Sequence, residues 1–184
     1  DKLTGLGVSY CGTCDGPLYK NKEVAVIGGG DRALEEALFL TRYASRVHLI
    51  HRRDALRASA ILVEKARSEH RINFILNTVV EEIVGDKKFD KLILKNVNST
   101  AVSELRCHGI FIFVGIRPNT DFAGALLKID EKGFIIADQD MRTSQDGIFA
   151  CGDCCQKSFR QVVTACSDGA VAAFSVNSYL DNLK

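Results

Sequence analysis

Apolar residues recur along this chain in two rhythms, and the places where one gives way to the other outline its elements. Residues 23–28 form a short β-branched run that predicts a buried strand. From residue 31 to about 42, Ala33, Leu34, Ala37 and Leu38 fall at helical spacing and predict a helix with one apolar face. Residues 47–50 predict the next strand, and a strand–helix–strand unit of this length implies parallel pairing through a right-handed crossover. A second helix is expected over about 58–69, with Ile61, Leu62 and Ala66 turned inward. The texture then changes to strands over 71–76, 79–84, 91–97 and 104–114, separated by polar turns such as Gly85-Asp86-Lys87-Lys88 and Asn98-Ser99-Thr100. The middle two or three of these predict an antiparallel meander laid over the parallel sheet.

Gly115-Ile116-Arg117-Pro118-Asn119-Thr120 combines glycine, proline and turn formers after a very apolar strand, which places a domain boundary there: residues 1–116 and 117–184. Short strands are expected over 133–137 and 147–150. A long helix from about 160 to 183 is rich in small residues (Ala165, Gly169, Ala170, Ala172, Ala173) suited to close packing. The order of elements predicts the α/β class.

The 184 residues leave room for one large domain or two small ones, and 46% hydrophobic with 26% charged is an ordinary globular composition. A net charge of +1 gives no overall field for nucleic acid or an anionic membrane. No apolar run approaches the roughly 18–20 residues of a membrane span. The seven cysteines, 11, 14, 107, 151, 154, 155 and 166, are odd in number and irregularly spaced. That argues for a reducing compartment, hence the cytoplasm, where a Cys-x-x-Cys pair is catalytic or metal-binding. The chain opens on Asp1 and reads as the continuation of a longer polypeptide.

Two stretches carry chemistry. Gly28-Gly29-Gly30-Asp31-Arg32-Ala33 follows the first strand and opens the first helix, so Gly28-x-Gly30-x-x-Ala33 fits a dinucleotide fingerprint. The first glycine makes the turn, the second lets backbone approach a pyrophosphate, and the small third residue allows helix and strand to close. An NAD site expects an acid about 20 residues on, for the ribose hydroxyls. This chain has His51-Arg52-Arg53 and then Arg57 instead, which suits the 2′-phosphate of NADPH. A solvated basic loop is the plainer alternative.

The second stretch is Cys11-Gly12-Thr13-Cys14-Asp15. The pair can close a small disulfide ring and lower one thiol's pKa, and Asp15 beside Cys14 suits a proton shuttle to a leaving thiolate. Zinc is the rival reading, with Cys151-x-x-Cys154 as a second half-site, but well over a hundred residues separate the pairs, against roughly 15–20 in a zinc ribbon. No metal is expected. A nicotinamide site so near a dithiol suggests electrons that end in a disulfide.

At these residues the chain resembles the low-molecular-weight thioredoxin reductase family. Cys11-Gly12-Thr13-Cys14-Asp15-Gly16 is similar to its redox motif, and His51-Arg52-Arg53-Asp54-Ala55-Leu56-Arg57 to its NADPH phosphate motif. The segment from Gly115 to Thr120 resembles its hinge strand. Ala150-Cys151-Gly152-Asp153 with Arg160-Gln161-Val162 resembles its second flavin-binding segment. The thiols sit at the start of the NADPH domain, as in this family and unlike the glutathione reductase type.

The resemblance implies a Rossmann-like FAD/NAD(P)-binding fold, FAD and NADPH as cofactors, thioredoxin as partner and a homodimer. Cys14 would face the flavin, Cys11 would exchange with the substrate disulfide, and Asp15 would be the acid/base. Asp153 would bind the ribityl chain, with Gly115, Gly152, Arg160, Gln161 and Val162 nearby. Only one glycine fingerprint is present, so residues from about 117 are expected to be the second half of a discontinuous flavin domain and the chain a C-terminal portion. Cys151, Cys154 and Cys155 depart from the family pattern and are expected, like Cys107 and Cys166, to be small buried hydrophobes. The flavoprotein subunit of alkyl hydroperoxide reductase, or a non-catalytic NADP-binding redox module, stays open beside this reading. The arginines favour the reductase over the first, and the intact Cys-x-x-Cys-Asp over the second.

Overall fold

The computed structural model describes residues 2–183. The chain divides into two compact units, Asp1–Gly115 and Ile116–Lys184. The first contains β1 (Val8–Ser9), α1 (Gly12–Asp15), β2 (Glu23–Ile27), α2 (Asp31–Leu40), β3 (Arg46–Ile50), α3 (Ala60–Ser68) and β4 (Ile72–Ile75). It continues with β5 (Thr78–Gly85), β6 (Phe89–Asn96), β7 (Val102–Arg106) and β8 (Ile110–Ile112). Five strands make a parallel sheet in the order β1-β8-β2-β3-β4, and β5-β6-β7 make an antiparallel meander.

Side-chain alternation along β2 explains the layering. Val24 and Val26 enter a core with Leu34, Leu40, Leu49 and Phe111 on the helical side. Ala25, between them, enters a second core with Ile50, Leu92 and Ile110 on the meander side. The central strands are buried on both faces, which is why they read as unbroken apolar runs rather than as alternating ones. The expected α/β architecture, parallel sheet with crossover helices and a meander, is the one observed.

Several local expectations are corrected. The strand expected over 104–114 is two strands in different sheets: the chain leaves the meander at Arg106 and enters the parallel sheet at Ile110. The break falls at Cys107-His108-Gly109, where a side chain on Gly109 would stand 2.4 Å from the Tyr19 ring. Ile61 is 78% exposed, because α3 begins only at Ala60 and its inward face runs through Leu62, Val63 and Ala66. Both β1 and α1 are too short to show a period.

In the second unit, 133–137 and 147–150 form no strands. They make only isolated bridges (Ile129 with Ile135, Ile135 with Cys155, Arg142 with Phe149) around a small core of Ala123, Leu127, Ile135, Ala150 and Cys155. The long helix α4 spans Val162–Asp181. Among the unpaired cysteines Cys107 and Cys155 are buried, whereas Cys151 and Cys166 are exposed and Cys154 is half-buried, against the expectation that all five are buried. No helix among the described residues is long and apolar enough to cross a membrane.

One polar corner locks the helical layer to the sheet edge. Arg71 donates from Nε and Nη2 to the two carboxylate oxygens of Glu69, both at 3.0 Å, and from Nη1 to the Thr41 carbonyl at 2.5 Å. The Arg71 hydrogen bonds hold the Glu69 carboxyl down at about 2 from its ordinary 4.5. A depressed carboxyl stabilises the fold above its unfolded value and loses that contribution as pH falls toward the folded one. Arg71→Ala should therefore destabilise the fold at neutral pH, and only modestly, because the pair is exposed to solvent. It should also flatten the loss of stability between pH 4.5 and about 2. Denaturant titrations of both proteins across that range check this.

Candidate functional site

The glycine turn is shaped by what surrounds it. Gly28 has φ +149°, and a Cβ there would lie 2.5 Å from the Phe113 carbonyl oxygen and 2.6 Å from the Ala33 methyl. A Cβ on Gly29 would lie 2.4 Å from the His51 ring. Gly30 faces open space and caps α2 with no side-chain hydrogen bond, so the first-turn amides of this ten-residue helix are left for an anion. The Asp31 carboxylate does not cap its own helix; it accepts from the Ser59 amide at 2.7 Å. Arg32 lies 5.8 Å from the Phe113 ring centroid and 3.7 Å from Glu36 Oε1.

The basic loop after β3 is fastened to this turn. The Gly29 carbonyl accepts from the Arg57 amide at 2.7 Å and the Ala58 amide at 3.2 Å, while the His51 carbonyl accepts from Thr78 at 2.9 Å. Arg52, Arg53 and Arg57 are exposed, and no ion pair among the described residues engages them. His51 is the opposite: 7% exposed, with Nε2 buried and without a hydrogen-bond partner among the described residues. Burial pushes its pKa down, an effect offset by the Ala55 backbone and reinforced by Arg57, Arg53 and Arg52. Gly28, Gly29, His51, Arg52 and Arg57 thus meet along one cleft of about 300 Å³, with Thr78–Val80 and Phe113 as further walls. Those walls carry no motif, so the sequence offered no sign of them. The positive mouth, bare glycine backbone and open helix end fit a phosphorylated dinucleotide.

The dithiol sits on α1. The Ser9 hydroxyl, at the end of β1, accepts from the Cys11 amide at 3.1 Å and starts the turn. Cys11 caps the helix, its sulfur accepting from the Cys14 amide at 3.1 Å, and the two cysteines are joined in a disulfide. Pro17 in the following 3-10 turn ends α1. Cys14 is exposed, and Cys11 and Asp15 are half-buried. The Tyr19 hydroxyl pKa is raised by burial and then by Asp15. Gly12 and Gly16 are the buried side of α1: a Cβ on Gly12 would lie 2.2 Å from Glu36 Oε2, and one on Gly16 3.1 Å from a Leu40 methyl. Helix α2 therefore opens at the glycine turn and carries α1 further along.

Gly115, the last residue of this unit, has φ +118° and open space around it. The remaining site residues lie in the second unit. Gly152 (φ +82°) and the exposed Asp153 form a 3-10 turn before α4. Arg160 braces that turn, donating from Nε to the Asp153 carbonyl and from Nη2 to the Cys155 carbonyl, both at 3.2 Å, with its guanidinium 3.8 Å from the Phe134 ring centroid. Gln161 caps α4 in a capping box with Thr164, and Val162, its first residue, is 80% exposed. The Asp168 carboxylate accepts from the Gly152 amide at 3.0 Å and from Lys157, which holds its pKa down. Sequence reading missed that pair, since its members lie 11 residues apart with no common motif. Among the described residues no group of three or more His, Cys, Asp or Glu is placed to hold a metal.

Comparison with known proteins gives consistent matches. Residues 1–169 match the family described as Pyridine nucleotide-disulphide oxidoreductase. The chain is 46% identical over 185 residues to the thioredoxin reductase of Listeria innocua, covering 100% of this chain and 58% of that protein. It is 48% identical over 183 residues to that of Treponema pallidum, covering 100% and 59%. The crystal structure of thioredoxin reductase from Streptococcus pyogenes superposes with a TM-score of 0.92 at 43% identity, over 96% of this chain and 58% of that one. The chain spans about three-fifths of the length of these relatives.

Gly29→Ala tests the seating of His51. The added methyl would stand 2.4 Å from the ring, so a loss of about 1–3 kcal/mol from overpacking is expected. Combining it with His51→Ala should recover most of that loss in a double-mutant cycle of unfolding free energies. Simple additivity would show that the ring does not press on the turn.

Proposed function

This chain belongs to the pyridine nucleotide-disulphide oxidoreductase family, and from that premise we propose that it serves NADPH-dependent reduction of thioredoxin through the Cys11–Cys14 disulfide. The observation that carries the reading is the double use of α2, which starts directly after the Gly28–Gly29 turn that lines the cleft and whose later turns lie against Gly12 and Gly16 beside the disulfide. Residues 1–116 act as the NADPH-binding domain, and residues 117–184 contribute a segment of an FAD-binding domain.

When bound, NADPH supplies the electron pair and FAD the relay to the disulfide. The protein's share is placement and proton handling. The backbone N–H groups after Gly28, those of Asp31 and Arg32 at the helix start included, would hold the pyrophosphate, and Gly30 leaves that approach open. Arg52, Arg53 and Arg57 supply fork-shaped donors for the 2′-phosphate. Neutral His51 fixes the Gly29 backbone from beneath. Cys14 would be the sulfur that faces a bound flavin and Cys11 the one that exchanges with substrate, while Asp15 would hold the proton that the leaving thiolate takes. In the second unit the exposed Asp153 is available to a ribityl hydroxyl, and Arg160 keeps its turn in shape. Gly152, Gln161 and Val162 border the same flavin segment, and Gly115 lets the chain turn out of the first unit. The reading carries with it a cytoplasmic location, supported by the irregular cysteine spacing, and a homodimeric assembly, supported by the family likeness.

Replacing Arg52, Arg53 and Arg57 together by glutamine should weaken NADPH binding on the order of a hundredfold, since charge-assisted contacts to the 2′-phosphate are lost. NADH affinity should change little. Titration calorimetry with both nucleotides checks this, and equal losses for the two would contradict the assignment.

A further inference from the structure

Glu36 is a buried carboxyl that the reading above leaves without a task. Its side chain is 14% exposed, on the face of α2 that receives α1. Oε1 lies 3.7 Å from Arg32, while Oε2 is buried against α1, where the Gly12 amide is the backbone group that acts on the carboxyl. That oxygen is wedged against Gly12, the residue following Cys11, so tightly that a Cβ there would stand 2.2 Å away. Position 12 must remain glycine for the carboxyl to stay where it is.

We propose that Glu36 is a positioning residue for the dithiol: its carboxyl, pressed against the backbone between the two cysteines, sets how readily Cys11 carries negative charge once the disulfide opens. The inference rests on the reading of Cys11–Cys14 as a redox couple. On reduction the S–S bond breaks, two electrons enter from a dithiol reductant, and each sulfur takes up a proton unless Cys11 remains a thiolate. A second negative charge on Glu36 disfavours that thiolate, and a thiolate disfavours ionised Glu36, so the two sites titrate as a coupled pair. Burial raises the Glu36 pKa, opposed by Arg32 and slightly by the Gly12 amide and reinforced by Glu35. The charges that act on Glu36 are Arg32 and Glu35 of its own helix, and on the α1 side the acid Asp15 acts on Tyr19 in the following turn.

The test uses the 184-residue chain reduced with dithiothreitol and freed of excess reductant. Alkylation of Cys11 by iodoacetamide is followed by peptide mass spectrometry from about pH 4 to about pH 9, which spans the ordinary carboxyl and thiol ranges. Wild type should show two steps in rate. Glu36→Gln should show one step, displaced to lower pH, with alkylation near neutrality faster by on the order of threefold to fivefold. Gly12→Ala, whose methyl evicts the carboxyl without removing it, should lose the second step as well, and either variant alone decides, with circular dichroism confirming the fold. Profiles of both variants parallel to wild type would overturn the role of Glu36 alone. A reduced pair that does not close again against oxidised glutathione would instead overturn the redox reading on which it rests.

Discussion

At Gly28 the backbone passes so close to the Phe113 carbonyl and the Ala33 methyl that any side chain would stand 2.5–2.6 Å from them. This contact joins β2, the start of α2 and the segment just past β8 at one point. Because α2 can approach that closely, its open N-terminal turn lies at the carboxyl ends of β2 and β3, where open α/β sheets bind ligands. The direction of α2 from this point also decides where α1 can rest. The glycine turn and the disulfide are thus placed by a single helix whose position is set by absent side chains.

The rest of the first unit maintains that helix. Val24, Val26, Leu34 and Leu40 are fully buried between α2 and the sheet, and Ala25, Ile50 and Ile110 are covered from the other side by Leu92 of the meander. Fully burying side chains of this size stabilises by roughly 1.5–3 kcal/mol each before conformational entropy is counted. The meander contributes Thr78–Val80 to the cleft wall as well, so the layer that completes the core also borders the site. Two polar side chains are buried here, His51, whose Nε2 has no hydrogen-bond partner among the described residues, and Glu36, whose carboxyl meets only the Gly12 amide and the more distant Arg32. One lies under the glycine turn and the other under the dithiol.

Much of this was legible in the sequence because the physics is local. Residues 23–42 announce a strand, a glycine turn and an amphipathic helix in order, and the basic run at 51–57 stands where the fingerprint places it. What failed depended on partners distant in the chain. The apolar stretch over 104–114 looks continuous, yet it changes sheets at Gly109 because the Tyr19 ring occupies the space a side chain would need. Residues 133–137 and 147–150 are apolar enough for strands but find only single-residue bridges. Glu36 reads as an ordinary polar position on a helix; only the packing of α1 onto α2 reveals that it is covered. The thiols at 151 and 166 look like core residues by type, and their exposure follows from a turn and a helix face that sequence alone does not orient.

The central claim is that the glycine turn and the arginine loop form one NADPH site on a single folded unit. A crystal structure of this chain with NADP⁺ tests it most directly. The account predicts the pyrophosphate at the amides following Gly28 and the 2′-phosphate within hydrogen-bond reach of at least two of Arg52, Arg53 and Arg57. A nucleotide bound with its 2′-phosphate away from those arginines, or with its pyrophosphate away from the start of α2, would contradict it.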